Sequence, residues 1–443
     1  MLPDYLSKAV PNPKGNRAPW YANTAPSYAG IFLWVAFYNQ LAGGTLQHGG
    51  LGLCLAALVI AALLCYFLYY RVPAMLGMQT GYPLYVVGSS TFGTSGGYIM
   101  PGILMGLLQI GWFGVNTFVA SDFILKALGI NAGPGSLPFI ITGAIWGLTT
   151  SFVGAKGIQY VAKMATFLNF IPLVMLLVVL FQTASGVGSY TVPAGQANSY
   201  VAFTSMLAIV IGFFATAGAA GTDFGSNARN EKDVKWGGLV GITLAAIVAA
   251  GLPLIAVAGA HGMNPGLGWE YGDVIKVIGG PIGSIMFLLF AAASVPSACF
   301  CAFIAGNSLN TMIPSVPRVA STMTGAVIGI ILAVSGVAGN LVGFFSLVGA
   351  SFGPIVGAMV ADYLLAGRRW SGPRQGVNIA GYGAWAVGFL VGILPSLPLS
   401  PEILPYTQPA VLYSFFVGFV VYMVLAKAGL QPKIVEMPKA AKA

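Results

Sequence analysis

Charge is what this chain has least of. Only 7% of its 443 residues are Asp, Glu, Lys or Arg, against about 25% in an ordinary soluble domain. It has 10 acidic residues and 2 histidines, which leaves little for a catalytic centre built on general acid–base groups. Cysteine is equally scarce. Cys54, Cys65, Cys299 and Cys301 all fall in apolar runs, and no other Cys or His lies near Cys299-x-Cys301 in sequence, so the four read as small packing residues. There is no H-E-x-x-H, Walker loop or C-x-x-C, so the chain is read as no enzyme. Residues 1–27 lack the early apolar core of a signal peptide and are read as a retained cytoplasmic segment.

What the chain has is apolar length. It is 57% hydrophobic, with 61 glycines and a mean hydropathy of +0.85. Runs of about 20 apolar residues recur, the length that crosses a bilayer as a helix. The predicted spans cover 28–46, 51–70, 99–125, 136–154, 158–182, 200–222, 236–258, 281–309, 319–336, 341–366, 378–395 and 409–427. This is an all-α polytopic membrane protein of twelve transmembrane helices. With the N-terminus inside, every Lys and Arg except Lys126, Lys163 and Lys276 falls on the inner side, Lys439 and Lys442 of the tail included. Both termini are then cytoplasmic and the protein is multi-pass in the plasma (inner) membrane. The net charge of +9 follows this topology and forms no nucleic-acid patch.

Two spans weaken inside. The first loses its apolar character at Asn39-Gln40 and Gly43-Gly44, the sixth from Thr216 to Gly221. Interruptions at matching positions of two halves point to a transporter with inverted repeats; close packing through small residues is the other reading. The stretch from Arg71 to Tyr98 reads as a polar, Gly-rich inner segment, either re-entrant or an extension of span three. A short amphipathic helix is expected at 273–278, and a poorly ordered tail after Lys427.

The stretch Leu108-Gln-Ile-Gly-Trp-Phe-Gly-Val-Asn116 stands out. Gln109, Trp112 and Asn116 lie at i, i+3 and i+7, one face of a helix. Amides in hydrocarbon need partners. Either they bond neighbouring helices, or with the indole they hold a flat polar molecule. Asp223 and Asp362 are expected to pair with Arg229, Arg368 or Arg369, and Asp122 to cap, pair with Lys126 or titrate. His48 and His261 are read as surface residues.

Three segments together resemble one family. Leu107 to Asn116 is similar to the third helix of bacterial cytosine permeases, with its Q-x-G-W-F-G run. Gly212 to Phe224, then Ala228-Arg-Asn230, resembles their sixth helix, and Phe345 to Leu364 their tenth, ending P-x-x-G-x-x-x-A-D-Y. The chain thus resembles the nucleobase–cation symport family of cytosine, purine, allantoin and hydantoin permeases. The resemblance implies a leucine-transporter fold, with ten helices in a five-plus-five inverted repeat (28–366), helices one and six broken, two added helices (378–427) and a cytoplasmic tail (428–443). It implies a ring stacked between Trp112 and Phe214, read by Gln109, with Asn116, Phe213, Thr216 and Ser297 close by.

Helix eight departs from that pattern. It reads Ala291-Ala-Ala-Ser-Val-Pro-Ser-Ala, without the family's asparagines. The substrate loses a bidentate amide, and a coupling Na+ keeps only Ser294, Ser297 and helix-one carbonyls near Phe32 and Val35. The expected function is secondary active import of a small planar heterocycle (purine, pyrimidine, allantoin or hydantoin), coupled to Na+ or H+, by alternating access. The alternatives are an amino-acid permease of the same fold, an uncoupled facilitator and a binding protein. No cofactor is expected.

Overall fold

The computed structural model describes residues 2–168, 170–312, 315–400 and 402–437. Lys439 and Lys442 lie outside the described residues, as does the side chain of Lys163. Among the described residues every regular element is a helix, and extended pairing is confined to two isolated bridges, Ala18 with Ala228 and Arg374 with Ile434. Nine of these helices are long and apolar enough to cross a membrane, and Arg318–Val334 and Ile379–Gly392 are shorter apolar helices. Leu107, Ile145, Phe181, Ile331, Leu390 and Val424 all point outward. Such an apolar exterior suits hydrocarbon, where helices satisfy their own backbone groups, and the protein is a multi-pass membrane protein.

Several boundaries differ from those predicted. The second helix runs on through Arg71 to Thr80, across residues read as a loop. A wide turn at Cys65–Tyr70 precedes Pro73, whose ring crowds the turn behind it. Gly81, at φ 75, ends the helix in a left-handed conformation suited to glycine. The segment that follows is neither loose nor exposed. Leu84–Val87 and Ser89–Phe92 are single helical turns, and Ser89, Ser90 and Thr91 are buried. Leu137–Leu168 is one helix where two spans were predicted to part near 155; Gly154 and Gly157 lower helix propensity there, but no proline blocks it. The eighth span does break, at Ser294, between Gly280–Ala293 and Val295–Met312.

The first span is in pieces, Thr24–Phe32, Val35–Tyr38 and Leu41–Gly44. Its main break is at Trp34, which is extended at φ −71, ψ 127, earlier than the Asn39-Gln40 step. Asn39 and Gln40 instead anchor its far end: their amide nitrogens lie 3.3 and 3.1 Å from the two carboxylate oxygens of Glu270. Glu270 caps the short helix Tyr271–Ile278, which matches the amphipathic helix expected there. The sixth span turns at Ala220, between Ser199–Ala219 and Gly221–Ser226.

Glycine lets the broken ends seat closely. A Cβ on Gly77 would stand 2.0 Å from the Thr222 carbonyl oxygen, and one on Gly225 2.2 Å from that of Ala74. The short helix Gly221–Ser226 therefore lies backbone to backbone on the end of the second helix. Arg17 ties the N-terminal segment to the same place, donating to the carbonyls of Met78 at 2.6 Å and Ala228 at 3.4 Å.

The charges pair differently from expectation. Asp362 meets Arg374 at 3.3 Å and Thr91 at 3.3 Å, not Arg368 or Arg369. Arg229 pairs with Asp233, four residues on in the first turn of Glu231–Gly238, and not with Asp223. Asp223 instead accepts from the Leu84 N–H at 3.4 Å. Asp122 pairs with Lys126 at 2.5 Å. His261 is buried, not on the surface: its ring stacks on Trp269 at 3.8 Å. His48 is half-buried against the Gln196 carbonyl. The tail is ordered as far as it is described, with the Gln375 N–H donating to the Lys433 carbonyl and that of Val435 to Pro373.

Candidate functional site

The regular helix Leu104–Ala127 carries Gln109, Trp112 and Asn116 on one face. Trp112 is buried among rings from three other helices. Phe213 of Ser199–Ala219 stands edge-on at 5.2 Å, and Phe344 and Phe345 of Leu341–Leu365 lie at 4.9 and 5.5 Å. Trp34, at the break in the first span, lies 5.7 Å away. Phe37, just past that break, packs on Phe213 at 4.6 Å. The break in the first span, the sixth span and the third helix thus converge on one aromatic cluster, with rings in the tilted and edge-to-face contacts that they favour.

Phe214 is elsewhere. It stacks on Phe32 at 5.5 Å and 13° and touches Tyr28 at 5.6 Å. Consecutive helical residues point about 100° apart, so only one of Phe213 and Phe214 can face the third helix, and it is Phe213. The structure does not bring Trp112 and Phe214 together. Thr216 is buried one turn before the break and its carbonyl accepts the Ala220 N–H at 3.0 Å.

Asn116 reaches the break in the eighth span. Its amide nitrogen donates to the Ser294 carbonyl at 3.1 Å and the Ser297 hydroxyl at 2.7 Å. A carbonyl oxygen at this distance can face only the amide's N–H groups, which sets the amide this way round, and among the described residues Asn116 Oδ1 is left buried without a partner. The Ser294 carbonyl also accepts the Ala298 N–H at 3.1 Å, so Asn116 adds a second donor at the point where the helix is interrupted. The Ser294 hydroxyl bonds the Ala291 carbonyl and that of Ser297 the Ser294 carbonyl. The Val35 carbonyl accepts the Asn39 N–H at 2.9 Å, while Phe32 contributes its ring to the Phe214 stack. Gln109 is half-buried and, among the described residues, its nitrogen meets only the Met105 sulfur, at 3.7 Å, a weak acceptor.

Sequence reasoning passed over Trp34, Phe344 and Phe345. Trp34 sits in an unbroken apolar run, with no glycine or proline to mark the break. An open cavity of about 990 Å3 lies away from this cluster, between the N-terminal turn (Tyr5, Lys8) and Tyr85, Tyr98 and Ile103. Among the described residues no three His, Cys, Asp or Glu side chains gather to hold a metal.

Comparison with known proteins places this architecture. The cytosine permease of Escherichia coli (strain K12) is 26% identical over 356 residues, covering 77% of this chain and 78% of that protein. A putative allantoin permease of the same organism is 21% identical over 444 residues, 88% of each chain. The structure of Mhp1 in its inward-facing conformation superposes with a TM-score of 0.73 at 18% identity, over 97% of this chain and 95% of that one, and shares the fold. The family described as permease for cytosine/purines, uracil, thiamine, allantoin matches residues 11–418. A match over nearly the whole helical bundle leaves one assignment: the chain belongs to this family of permeases, which are membrane transporters and not enzymes.

Proposed function

We propose that the protein imports a small planar heterocycle, a purine, pyrimidine, allantoin or hydantoin ring, together with Na+ or H+. The observation that carries this reading is the cluster at Trp112, where an indole with uncommitted amide groups beside it meets Trp34 at the break of span one and Phe213 of span six. A ring stacks on Trp112 with Phe213 as its wall. Gln109 and the free oxygen of Asn116 read its polar edge. Phe214 and Thr216 hold the turn at Ala220 against the first span. Stacking of a base on an aromatic is worth about 1–3 kcal/mol, enough to select flat rings.

The architecture that goes with this function has twelve spans, ten of them in two inverted sets of five, with both termini on the cytoplasmic side of the inner membrane. Trp34 and Ala220 are the hinge points at which spans one and six rock to alternate access. For Na+, the oxygen ligands on offer are the hydroxyls of Ser294 and Ser297 and the carbonyls at Phe32 and Val35, a hard donor set suited to a hard cation. Cytosine, allantoin and hydantoin, named for the relatives, are the first rings to test.

Proteoliposomes holding the full chain test the reading. Radiolabelled cytosine, uracil, hypoxanthine, hydantoin and allantoin are offered with an inward Na+ gradient, an H+ gradient or neither. Accumulation of one ring above equilibrium under one gradient is expected. Equilibration without accumulation under every gradient would make the protein an uncoupled facilitator, and uptake of amino acids alone would overturn the assignment.

A further inference from the structure

Trp34 carries more than a hinge. Its indole is 8% exposed and Nε1 has no hydrogen-bond partner among the described residues. A buried tryptophan N–H ordinarily finds an acceptor, and leaving one unmade costs its desolvation. Among the described residues the other such atoms are Asn116 Oδ1, Thr117 Oγ1, Trp146 Nε1 and the Tyr271 hydroxyl. Of these groups, Trp34 borders Trp112 through a 5.7 Å ring contact, and Asn116 lies one turn along the same helix face. Trp34 is also 6.4 Å from Phe213. One uncommitted donor and one uncommitted acceptor therefore stand at the same aromatic cluster.

We infer that Trp34 is a specificity-determining residue whose indole N–H donates to a carbonyl oxygen of the bound ring. Asn116 Oδ1 accepts from a ring N–H, so the ligand is a lactam-type heterocycle that carries both groups. This rests on the proposed reading of Trp112 as the platform. A packing role alone would be filled as well by phenylalanine or leucine, which bring no polar atom into an apolar setting. The break places the residue where a substrate-reading group is most useful, because Trp34 moves with the first span and links ring occupancy to the hinge.

The test compares oxo and thioxo rings, since sulfur is a weak acceptor. Binding of uracil, 2-thiouracil, 4-thiouracil, hydantoin and 2-thiohydantoin to the purified full chain is measured for the wild type, Trp34→Phe, Trp34→His and Trp112→Ala, with thermal unfolding recorded for each. The wild type should favour at least one oxo ring over its thioxo partner. Trp34→Phe should weaken that oxo ring by about 10-fold, the scale of one hydrogen bond, and level the oxo-to-thioxo ratio without lowering the unfolding temperature. Trp34→His, which keeps a ring N–H, should restore part of the preference. An unchanged ratio in Trp34→Phe, with Trp112→Ala abolishing binding, overturns the role of Trp34 and leaves the platform standing. If Trp34→Phe does not fold, an unchanged ratio in Trp34→Ala or Trp34→Leu overturns it equally. If the wild type binds none of these rings, platform and inference fall together.

Discussion

The amide nitrogen of Asn116 lies 2.7 Å from the Ser297 hydroxyl and 3.1 Å from the Ser294 carbonyl, so a single side chain of the third helix pins the break in the eighth. Asn116→Ala removes both bonds at once and leaves the Ser297 hydroxyl still bonded to the Ser294 carbonyl. The expected loss is about 1–2 kcal/mol, read as a lower unfolding temperature in detergent. Ser297→Ala keeps the Asn116–Ser294 bond and should cost less. Equal losses in the two variants would remove the pin.

Trp112→Ala should abolish uptake while the protein still reaches the membrane. Phe213→Ala should weaken the affinity for the ring about 5-fold or more, given about 1–3 kcal/mol per stacking aromatic. Phe214→Ala removes a ring packed on Phe32 and Tyr28, and should lower the unfolding temperature more than it changes affinity. Saturable wild-type uptake by Trp112→Ala, or a larger affinity loss in Phe214→Ala than in Phe213→Ala, would relocate the platform.

Arg374 serves three partners in three directions: Asp362 at 3.3 Å, the Ser90 carbonyl at 3.0 Å and the Pro432 carbonyl at 3.4 Å. Asp362 and Arg374 are both buried. Arg374→Ala leaves Asp362 buried without its cation, at a cost of about 3–5 kcal/mol. Arg374→Lys should rescue little, because an ammonium cannot reproduce the fork. Thermal unfolding and membrane yield report both effects, and a lysine variant of wild-type stability would show that the fork is dispensable.

Asp223 lies beyond the apolar helix Ser199–Ala219. Burial pushes its carboxyl up from 3.8 to about 6, with the Leu84 N–H pulling partly back. The folded protein therefore holds this proton more tightly than the unfolded chain. The stabilisation is fully present below the unfolded value and is lost as pH rises through about 6. Relative to Asp223→Asn, the wild type should lose unfolding temperature between the two values and run parallel above them. A constant difference across that window would refute the shift.

Much of the fold was legible because its causes are local. Apolar runs of membrane length and few charges mark helices wherever the chain goes, and a period of 3.6 residues puts Gln109, Trp112 and Asn116 on one face. The extension of the second helix to Thr80 was missed because Arg71 and Pro73 interrupt the apolar run, and tertiary packing on Gly221–Ser226 holds the last turns helical. The order of Ser89–Phe92 was missed for a similar reason. The Thr91 hydroxyl and the carbonyls of Ser90 and Thr91 are satisfied by Asp362, Arg374 and Asn378, residues more than 270 positions away.

The sequence by itself determined the class of this protein, a helical membrane protein, and the helix face on which an indole and two amides stand together. Both follow from composition and from the fixed geometry of one helix. Only the tertiary structure decided which ring meets that face. A rotation of about 100° separates Phe213 from Phe214, and no local signal records how the helix Ser199–Ala219 is turned about its axis. The same holds for Trp34, whose indole is seated against rings of two other helices, Trp112 and Phe213, and for Asp362, whose partner is chosen by a fold that brings the loop around Arg374 over the buried turn at Ser89–Phe92.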